Sequence, residues 1–379
     1  MKHIFIVGAR GYHAEYGGWE TFVSKLVDNY DDKDTLFHVS MYTSDINLKS
    51  YKRNNVIVDP IYVKEKGSVK MFFYAVKAYK YYFDFIEKNN LSSCYIYVLG
   101  LKLFHYLKKY RKKAKNLNVK VYLNPDGLEW KRSKWSYPIK KFFLISERLM
   151  LNNCDLIICD SLGIEEYIVG KFPKLTGKTK YIAYGCDEFN FKKINEKEIL
   201  KEYGLSKDDY YLLVGRCVPE NNYELIVKDF MKSKSDKKLI VITNLSSSNY
   251  YNELASKTDL VSDNRIVFID GVYDNEKLAV IRKNAFAYIH GHSVGGTNPS
   301  LIEGMSLTDI NILYDVCFNK YVGKDACLYF KEAGSLTKII NDEKKLIKVK
   351  KDLGLKAKNI VKDNFTWKKI VSNYKEIFK

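Results

Sequence analysis

The chain has 379 residues, 46% of them hydrophobic, which is enough for two domains of ordinary size with a core in each. No apolar run approaches the roughly 20 residues that cross a bilayer. The seven cysteines are scattered, with neither a CxxC pair nor a zinc-like spacing. These features argue against a membrane-spanning protein, a disulfide framework and a zinc module. A formal net charge of +18 points to anionic partners. No signal-peptide pattern opens the chain, so we expect a cytoplasmic protein.

The first element is a glycine-containing loop behind an N-terminal strand. Residues 2–8 have the apolar pattern of a buried strand. A loop with Arg10 and His13 follows, and the pair Gly17-Gly18 precedes a helix predicted over residues 19–29. A strand, a glycine loop and a helix in this order form a ligand-binding edge at the carboxyl end of a parallel strand. The glycine spacing differs from the dinucleotide fingerprint, so the loop by itself indicates no particular ligand.

Strands and helices alternate along the whole chain. The first half has strand-like runs at residues 3–8, 36–41, 55–63, 94–99, 119–123, 155–160 and 179–184, and helical patterns at 19–29, 68–88, 101–115, 139–152 and 161–171. The second half has strand-like runs at 210–215, 238–243, 265–270, 285–290 and 310–314, with helical patterns between them. Such alternation predicts an α/β fold with parallel sheets covered on both faces. We therefore predict two doubly wound, Rossmann-like domains at residues 1–187 and 205–365, with the last helix (366–379) crossing back to the first.

Positive charge is concentrated in residues 101–150, which hold 14 Lys or Arg against 3 Asp or Glu. Residues 108–115 form the densest cluster, and aromatic side chains are interleaved nearby. A basic and aromatic face is suited to an anionic membrane surface, so we predict that residues 101–115 contact one. Two alternatives remain open: a solvated helix face in a lysine-rich chain, and a nucleic-acid surface, which is the least favoured of the three.

A first candidate ligand motif in the second half follows the strand predicted at residues 210–215. Arg216 would emerge where that strand ends, and a helix would start near Pro219. The planar fork of an arginine side chain is suited to diphosphate oxygens. The alternative is an ordinary surface salt bridge.

The segment from His290 to Met305 is the most informative part of the chain. It follows the apolar run 285–289, and its glycine pair 295–296 lets the backbone approach a ligand closely. Asn298 is a suitable helix cap and Pro299 a suitable first helical residue. A helix N-terminus behind a glycine turn attracts an anion, and Glu303 lies one turn further on, within reach of a sugar hydroxyl. The segment therefore predicts a site for a nucleotide diphosphate-sugar; the alternative is an ordinary strand–turn–helix corner.

These motifs carry a resemblance to family four glycosyltransferases, which have the GT-B fold of two Rossmann-like domains facing a central cleft. The chain resembles in particular the bacterial β-1,4-rhamnosyltransferase-like branch. Residues 8–21 match its G-x-R-G-x-x-A-x-Y-G-G-[FW]-E-T loop, and residues 126–135 match its D-G-x-E-W-x-R-x-K-W segment. The motifs G-R-x-x-P-E-N-N, at 215–222, and H-G-H-S-V-G-G-T-N-P-S, at 290–300, complete a match that runs nearly from end to end.

The resemblance implies a retaining transfer of sugar from a nucleotide diphosphate-sugar, with no metal and no other cofactor. The expected donor is dTDP-rhamnose, and the expected acceptor is an undecaprenyl-diphosphate-linked sugar at the inner face of the plasma membrane, in the synthesis of capsule or other surface polysaccharide. UDP-glucose, UDP-galactose or UDP-GlcNAc is the alternative donor. A non-catalytic protein that binds nucleotide sugar or nucleic acid is the alternative from another class, although no nucleic-acid partner is expected.

The resemblance also assigns residues to roles. The expected catalytic residues are Asp126, Arg216 and His290. The expected donor-binding residues are Gly17, Gly18, Arg216, Asn221, His292, Gly295, Gly296, Thr297, Asn298, Ser300 and Glu303. The expected acceptor-binding residues are Arg10, His13, Tyr16, Glu129, Trp130 and Arg132. No residue is expected to bind a metal.

Two positions depart from the wider family. Asn221 stands where many members have a lysine that binds the donor diphosphate, and Gly295 stands where many have the first carboxylate of an E-x7-E pair. The missing carboxylate would suit a deoxy sugar. Asp126 is expected to hold the acceptor hydroxyl; an Asx turn with Gly127 is the alternative. Either histidine of the pair His290 and His292 could instead be structural.

Overall fold

The computed structural model describes residues 1–14, 17–65, 67–132, 135–245 and 250–379, which form two compact units. The first unit comprises Met1–Tyr184 and Trp367–Lys379, and the second comprises Gly185–Thr366. Residues 188–204, which the sequence pattern leaves between two domains, belong to the second unit. Their helix contributes Leu200 to an apolar cluster of that unit.

The first unit is built on an eight-stranded sheet in the order β3-β4-β2-β1-β5-β6-β7-β8. Its strands are β1 (Lys2–Val7), β2 (Thr35–Thr43), β3 (Tyr51–Arg53), β4 (Val56–Tyr62), β5 (Cys94–Leu99), β6 (Val119–Asn124), β7 (Leu156–Cys159) and β8 (Thr179–Tyr181). All neighbours are parallel except β3, which pairs antiparallel with β4. The seven predicted strands are all present. The short β3 has no apolar signature because its three residues are exposed, so the sequence pattern missed it.

Five helices of this unit connect its strands: α1 (Gly18–Asp28), α2 (Lys70–Lys88), α3 (Tyr106–Asn116), α4 (Tyr137–Asn153) and α5 (Leu162–Lys171). Crossovers between parallel strands are right-handed, and the chain moves along the sheet in one direction through α1 and in the other through α2, α3, α4 and α5. These four helices therefore cover one face of the sheet, and α1 covers the other. The helix predicted at 101–115 begins only at Tyr106. Phe104, with a φ of 48°, keeps the preceding residues out of helical conformation.

The second unit is built on six parallel strands in the order β11-β10-β9-β12-β13-β14. They are β9 (Tyr210–Val214), β10 (Lys238–Thr243), β11 (Ile266–Asp270), β12 (Ala287–His290), β13 (Asn311–Tyr314) and β14 (Leu328–Phe330). Its helices are α6 (Glu196–Glu202), α7 (Tyr223–Met231), α8 (Tyr250–Thr258), α9 (Asn275–Asn284), α10 (Pro299–Leu307), α11 (Cys317–Gly323), α12 (Ser335–Asn341) and α13 (Glu343–Asn364). The three-residue β14 was not predicted.

Alternating residues of β9 supply the two cores of this unit. Tyr211 and Leu213 lie in one apolar cluster, whereas Tyr210 and Leu212 lie in the other. Because successive side chains of a strand point to opposite faces, the two clusters cover the two faces of the sheet. The second unit is therefore doubly wound, as its near-continuous apolar strands predict.

The last helix, α14 (Trp367–Ile377), belongs to the first unit. Its Tyr374 hydroxyl lies 2.8 Å from the hydroxyl of Tyr97 on β5. Beyond it, Phe378 stacks on Tyr122 of β6 at a centroid distance of 5.6 Å. Buried aromatic packing of this kind fixes the C-terminal segment on the sheet of the first unit.

Strand order marks where each sheet can bind a ligand. In the first sheet β1 lies between β2 and β5: the chain runs outward from β1 through β2 to β4 and then crosses back past β1 to β5. In the second sheet β9 lies between β10 and β12: the chain runs outward from β9 through β10 to β11 and then crosses back to β12. Ligands of doubly wound sheets bind beyond the carboxyl ends of the strands at such a switch point. In the second unit, the loops that follow β9 and β12 flank this position.

Candidate functional site

The loops after β9 and β12 interlock at the switch point of the second unit. The Asn222 side chain donates to the Gly291 carbonyl at 2.7 Å. The backbone N–H and hydroxyl of Ser293 donate to the Glu220 carbonyl at 3.0 and 2.7 Å. A Cβ on Gly291 would lie only 2.1 Å from the carbonyl oxygen of Asn221. Glycine is therefore required where the two loops touch, and the resulting cradle is fixed by hydrogen bonds.

The N-terminus of α10 is capped as the sequence predicts. The Asn298 side chain accepts a hydrogen bond from the Ser300 backbone N–H at 2.9 Å, and Pro299 is the first helical residue. The preceding turn has Gly295 at a φ of 141°, a conformation that side chains disfavour, with open space around it. Gly296 follows, and Thr297 is buried. The free N–H groups and dipole of the helix favour an anion at this end.

Two stacked histidines lie beside this cradle. The rings of His290 and His292 are parallel within 9°, with centroids 4.3 Å apart. His290 is fully buried; its Nδ1 lies 3.2 Å from the Tyr288 hydroxyl, and its Nε2 has no hydrogen-bond partner within the described part of the chain. Burial, followed by the neighbouring His292, lowers the pKa of His290 well below its ordinary value, so the ring is neutral. The His292 ring packs against Gly215, whose Cβ would lie 3.0 Å from it.

Arg216 and Asn221 differ sharply in what their side chains do. Arg216 is exposed, and no acidic side chain of the described residues forms an ion pair with it. The surface-salt-bridge alternative therefore finds no partner among those residues. Asn221 is buried, and its amide donates to the Arg216 carbonyl at 2.7 Å. The amide thus shapes the loop and leaves the Arg216 guanidinium as the exposed cation there.

Glu303 is held by an arginine that sequence reasoning missed. Its Oε2 lies 2.7 Å from Nη2 of Arg282, whose side chain is only 5% exposed. The same Nη2 donates to the Ser300 hydroxyl at 3.1 Å, and that hydroxyl also lies 2.9 Å from the Tyr288 hydroxyl. Ser300 therefore faces the interior of the unit. Arg282 neutralises one oxygen of Glu303 and orients the other, Oε1, which can accept a ligand hydroxyl.

In the first unit, the loop after β1 is fastened to α1. The Arg10 N–H donates to Oε1 of Glu20 at 2.7 Å, and the His13 N–H donates to the Ser24 hydroxyl at 2.8 Å. The His13 ring lies 3.1 Å from a carboxylate oxygen of Asp28. Of the other residues predicted in this loop, Gly17 is the N-cap of α1 and lies against Glu20, and Gly18 is the first residue of the helix. Tyr16 lies outside the described residues.

Two carboxylates end the neighbouring strands β6 and β7. Asp126 has a φ of 65°, and its Oδ1 accepts from the Gly127 N–H at 2.9 Å, one residue on rather than the two residues of an Asx turn. Asp160 is only 2% exposed, and one of its carboxyl oxygens has no partner among the described residues. Burial first, and then the charge of Asp126, raise the pKa of Asp160 to about 7. Because β6 and β7 are parallel neighbours, both carboxyl groups lie at one edge of the sheet.

Asp160 is a candidate site residue that sequence reasoning missed. The signal was an acidic residue at the end of an apolar strand, in Cys159-Asp160-Ser161. A hydrogen bond from Tyr184 opposes the rise in the pKa of Asp160 but does not cancel it. Perturbed carboxyl groups at strand ends are typical of functional sites.

The acceptor-side motif forms a compact local network. Oε2 of Glu129 lies 2.7 Å from Nε of Arg132, and the Trp135 indole N–H donates to Glu129 Oε1 at 2.8 Å. Two ammonium groups, those of Lys131 and Lys171, lie 5.5 and 5.7 Å from the Trp130 ring. Glu129 and Arg132 thus form an ion pair, although the Arg132 Nε–H does not have the geometry of a hydrogen bond to the carboxylate. Their expected acceptor-binding role remains a prediction.

No group of three or more His, Cys, Asp or Glu side chains in the described parts of the chain is arranged to hold a metal ion. None of the described helices combines the length and the apolar character needed to cross a membrane.

Comparisons with known proteins agree with this architecture. Residues 1–187 match the model of a domain of unknown function, DUF1972. The whole chain is 25% identical to the uncharacterized glycosyltransferase MJ1069 of Methanocaldococcus jannaschii and covers 99% of it. Among solved structures, the chain is similar to sucrose-phosphate synthase from Thermosynechococcus elongatus, with a TM-score of 0.75, 16% identity and coverage of 100% and 98% of the two chains.

A second solved structure is Anabaena Alr3699/HepE in complex with UDP, with a TM-score of 0.73, 13% identity and coverage of 100% and 99% of the two chains. At these identities, likeness to solved structures demonstrates the fold. The two doubly wound units and the full-length likeness together confirm the predicted GT-B fold, and the chain is similar from end to end to a glycosyltransferase.

Proposed function

We propose that the protein is a retaining glycosyltransferase that moves rhamnose from dTDP-rhamnose to an undecaprenyl-diphosphate-linked sugar. The reaction takes place at the inner face of the plasma membrane, in the synthesis of capsule or other surface polysaccharide. The observation that carries the transferase proposal is the cradle of the second unit. There the exposed guanidinium of Arg216 lies in the loop after β9, and the capped N-terminus and the oriented carboxylate of Glu303 belong to α10, which follows the loop after β12. The full-length likeness to a glycosyltransferase supports the same activity.

Each part of the cradle has a role in binding a donor. Arg216 and the N–H groups of α10 stabilise the departing diphosphate, in the way that preorganised donors stabilise developing negative charge. Glu303 accepts hydrogen bonds from the ribose through Oε1. The neutral ring of His290 can donate or accept a hydrogen bond at the sugar without adding charge. Asn221 shapes the loop, so no lysine-like contact to the diphosphate is assigned to it.

The chemistry proposed is a front-face displacement. The bond between the anomeric carbon and the leaving phosphate oxygen breaks, and the acceptor oxygen bonds to the same face of the sugar. The acceptor proton passes to the leaving phosphate oxygen, so no protein nucleophile is needed. Asp126 holds the acceptor hydroxyl in this scheme, and the charge on the leaving diphosphate is balanced by protein groups without a metal.

The choice of rhamnose rests on one position. Gly295 supplies no carboxylate where many relatives have one, and the space around it is open. A donor with one hydroxyl fewer is suited to a site with one acceptor fewer. UDP-glucose is the alternative donor with a specific observation behind it, because the structurally similar Anabaena protein has been solved in complex with UDP-glucose. UDP-galactose and UDP-GlcNAc remain alternatives.

A thermal-shift panel of the four nucleotide sugars tests the donor. A ligand at about 100 times its Kd stabilises the folded protein by roughly 2.7 kcal/mol, which is several degrees in Tm for a unit of this size. We expect dTDP-rhamnose to give the largest shift and Arg216→Ala to reduce it strongly. A larger shift with a UDP-sugar would replace rhamnose. No shift with any nucleotide sugar, together with salt-sensitive binding to duplex nucleic acid, would favour the non-catalytic class.

Transfer to a lipid-diphosphate-linked sugar tests the reaction itself. NMR of the product should show the anomeric configuration of the donor, and activity should survive excess EDTA. An inverted product would recast Asp126 as a general base that deprotonates the acceptor, and the front-face scheme would then be abandoned.

A further inference from the structure

Helix α4 presents an unusual outer face. It buries Phe143, Ser146, Glu147, Met150 and Leu151 against the first unit. Its exposed residues Tyr137, Lys141, Ile145 and Arg148 are spaced by four, four and three positions. At 3.6 residues per turn, this spacing places all four along one narrow stripe of the helix.

The stripe combines apolar and basic side chains and lacks exposed acid. Tyr137 is 70% exposed and Ile145 is 52% exposed. The Lys141 ammonium lies 5.0 Å from the centre of the Tyr137 ring. The one carboxylate of the helix, Glu147, is buried and bonded to Lys171 at 2.8 Å. The outer face of α4 is therefore positively charged and has two exposed apolar anchors.

A hollow of about 810 Å³ adjoins the stripe, between the second half of α4 and the chain that ends α5. Its lining includes three half-buried apolar side chains, which we call the floor (Leu144, Leu149 and Phe172), and two exposed cations, which we call the rim (Arg148 and Lys174). None of the described residues that line it is acidic. An apolar floor with a cationic rim is complementary to an anionic amphiphile, whose chain would cover the floor while its phosphate meets the rim.

Helix α3 differs from α4 in the charged and aromatic side chains that it exposes. Of its basic residues, Arg111 is bonded to Asp155 at 2.7 Å, and Lys113 lies within 3.0 Å of Asp84 and 2.8 Å of Glu87. Phe104, just before α3, packs against Phe142 of α4 with ring centroids 5.3 Å apart. Residues 101–115 therefore keep exposed lysines, whereas the exposed aromatic side chain near them, that of Tyr137, lies on α4.

We propose that the α4 stripe and its hollow form the surface by which the first unit docks on an anionic bilayer. Apolar anchoring by Tyr137 and Ile145 adds to electrostatic attraction, and the rim at Arg148 and Lys174 binds lipid phosphate. The exposed lysines of α3, which packs beside α4, strengthen the long-range attraction. This deepens the proposed function, because a lipid-linked acceptor is available only at a membrane.

Vesicle co-sedimentation of the full chain tests the surface, with phosphatidylcholine alone or mixed with phosphatidylglycerol. We expect binding only to the mixed vesicles, falling with salt. The double variant Tyr137→Ser, Ile145→Ser changes no charge and should weaken binding roughly tenfold or more, because it removes the inserted apolar area. Arg148→Glu with Lys174→Glu should weaken it by at least as much. A matched control, Val261→Ser with Leu355→Ser, removes two similarly exposed apolar residues from the second unit and should change nothing.

Charge reversal of Lys108 and Lys112 on α3 separates the two helices. It should weaken binding at low salt and have little effect once exposed charges are screened. If it releases the protein while both α4 variants bind like the parent, the α4 surface is wrong and the docking site lies on α3. Equal binding to both vesicle types, or no binding to either, would also overturn the proposal. If neither vesicle type binds, the next measurement is whether the same face of the first unit binds nucleic acid.

Two further measurements keep this test separate from the proposed function. Circular dichroism and thermal melting should show that the α4 variants fold like the parent, as expected for substitutions of exposed side chains. Their thermal shift with the donor should be unchanged. Loss of vesicle binding with an intact donor response supports the surface alone, whereas vesicle binding without any donor response would overturn the proposed function and leave the surface standing.

Discussion

Replacement of Asp160 by asparagine should make the stability of the first unit less sensitive to pH. The carboxyl group is buried at the end of β7, and its pKa is raised from 3.8 to about 7, first by burial and then by Asp126. Below pH 3.8 the group is protonated in both the folded and the unfolded chain. As pH rises from there through 7, the unfolded chain ionises more readily than the folded one, so the folded state loses stability.

The size of the effect follows from the shift. One pKa unit is worth roughly 1.4 kcal/mol, so a shift of about three units lowers the free energy of unfolding by at most about 4 kcal/mol once the carboxyl group is ionised. About 3 kcal/mol of this loss should fall between pH 5 and pH 8. Asparagine has nearly the same shape and never ionises. The stability of Asp160→Asn relative to the parent should therefore rise by about that amount across this interval.

The assay is urea unfolding of the full chain followed by tryptophan fluorescence at several pH values. All four tryptophans, Trp19, Trp130, Trp135 and Trp367, belong to the first unit, so the signal reports that unit. Asp31→Asn, at an exposed position of the same unit, serves as the control for replacing a carboxylate by an amide.

The difference between Asp160→Asn and the parent is the decisive quantity, because other titrating groups contribute equally to both. Parallel stability curves between pH 5 and pH 8 would refute the reasoning and remove Asp160 from the candidate site. Asp126→Asn provides a second check. Since the Asp126 charge helps raise the pKa of Asp160, its removal should move the pH dependence to lower pH.

Four further predictions concern the candidate site. Arg216→Ala should lower kcat/KM for the donor by on the order of 2 kcal/mol, the scale of a lost charge contact, and unchanged steady-state kinetics would reject the diphosphate role. Glu303→Gln should raise the donor KM more than it lowers kcat. Arg282→Lys should have the same effect, because lysine cannot keep the contacts of the Arg282 guanidinium with both Glu303 and Ser300. Equal calorimetric affinity of the parent and both variants for nucleoside diphosphate would argue against both roles. Asp126→Asn should reduce transfer strongly while leaving donor affinity intact, and a matching loss of affinity would contradict an acceptor role. Gly291→Ala should weaken donor binding or lower the melting temperature, since its methyl group would meet a carbonyl oxygen at 2.1 Å; wild-type behaviour in both measurements would show that the loops can separate.

The local features of the candidate site could be predicted from sequence because their causes are local. The alternation of apolar strands and helices indicated the doubly wound sheets, and this part of the prediction is confirmed. Asn298 caps α10 through a hydrogen bond to a residue two positions away, which a short motif fully specifies. The three-residue strands β3 and β14 were missed because so few residues establish no period.

Charged groups were harder to assign because their partners are distant in the chain. Arg282 lies on α9 and meets Glu303 on α10 only after both helices pack on the sheet. The cations of α3 resembled one continuous basic surface, but two of them pair with acids that other elements bring to them. Periodicity shows which face of a helix is polar, but it does not show which polar groups are neutralised.

The sequence by itself therefore determined the fold class, the order of the strands and helices, and the glycine turn that leads into α10, because backbone conformation and apolar periodicity are set by near neighbours. Only the tertiary structure decided which ionisable groups act together. Asp160 joins Asp126 because two parallel strands end side by side, and its pKa rises because packing removes it from water. Desolvation and charge coupling depend on three-dimensional distance, and that distance is set by packing across the whole unit.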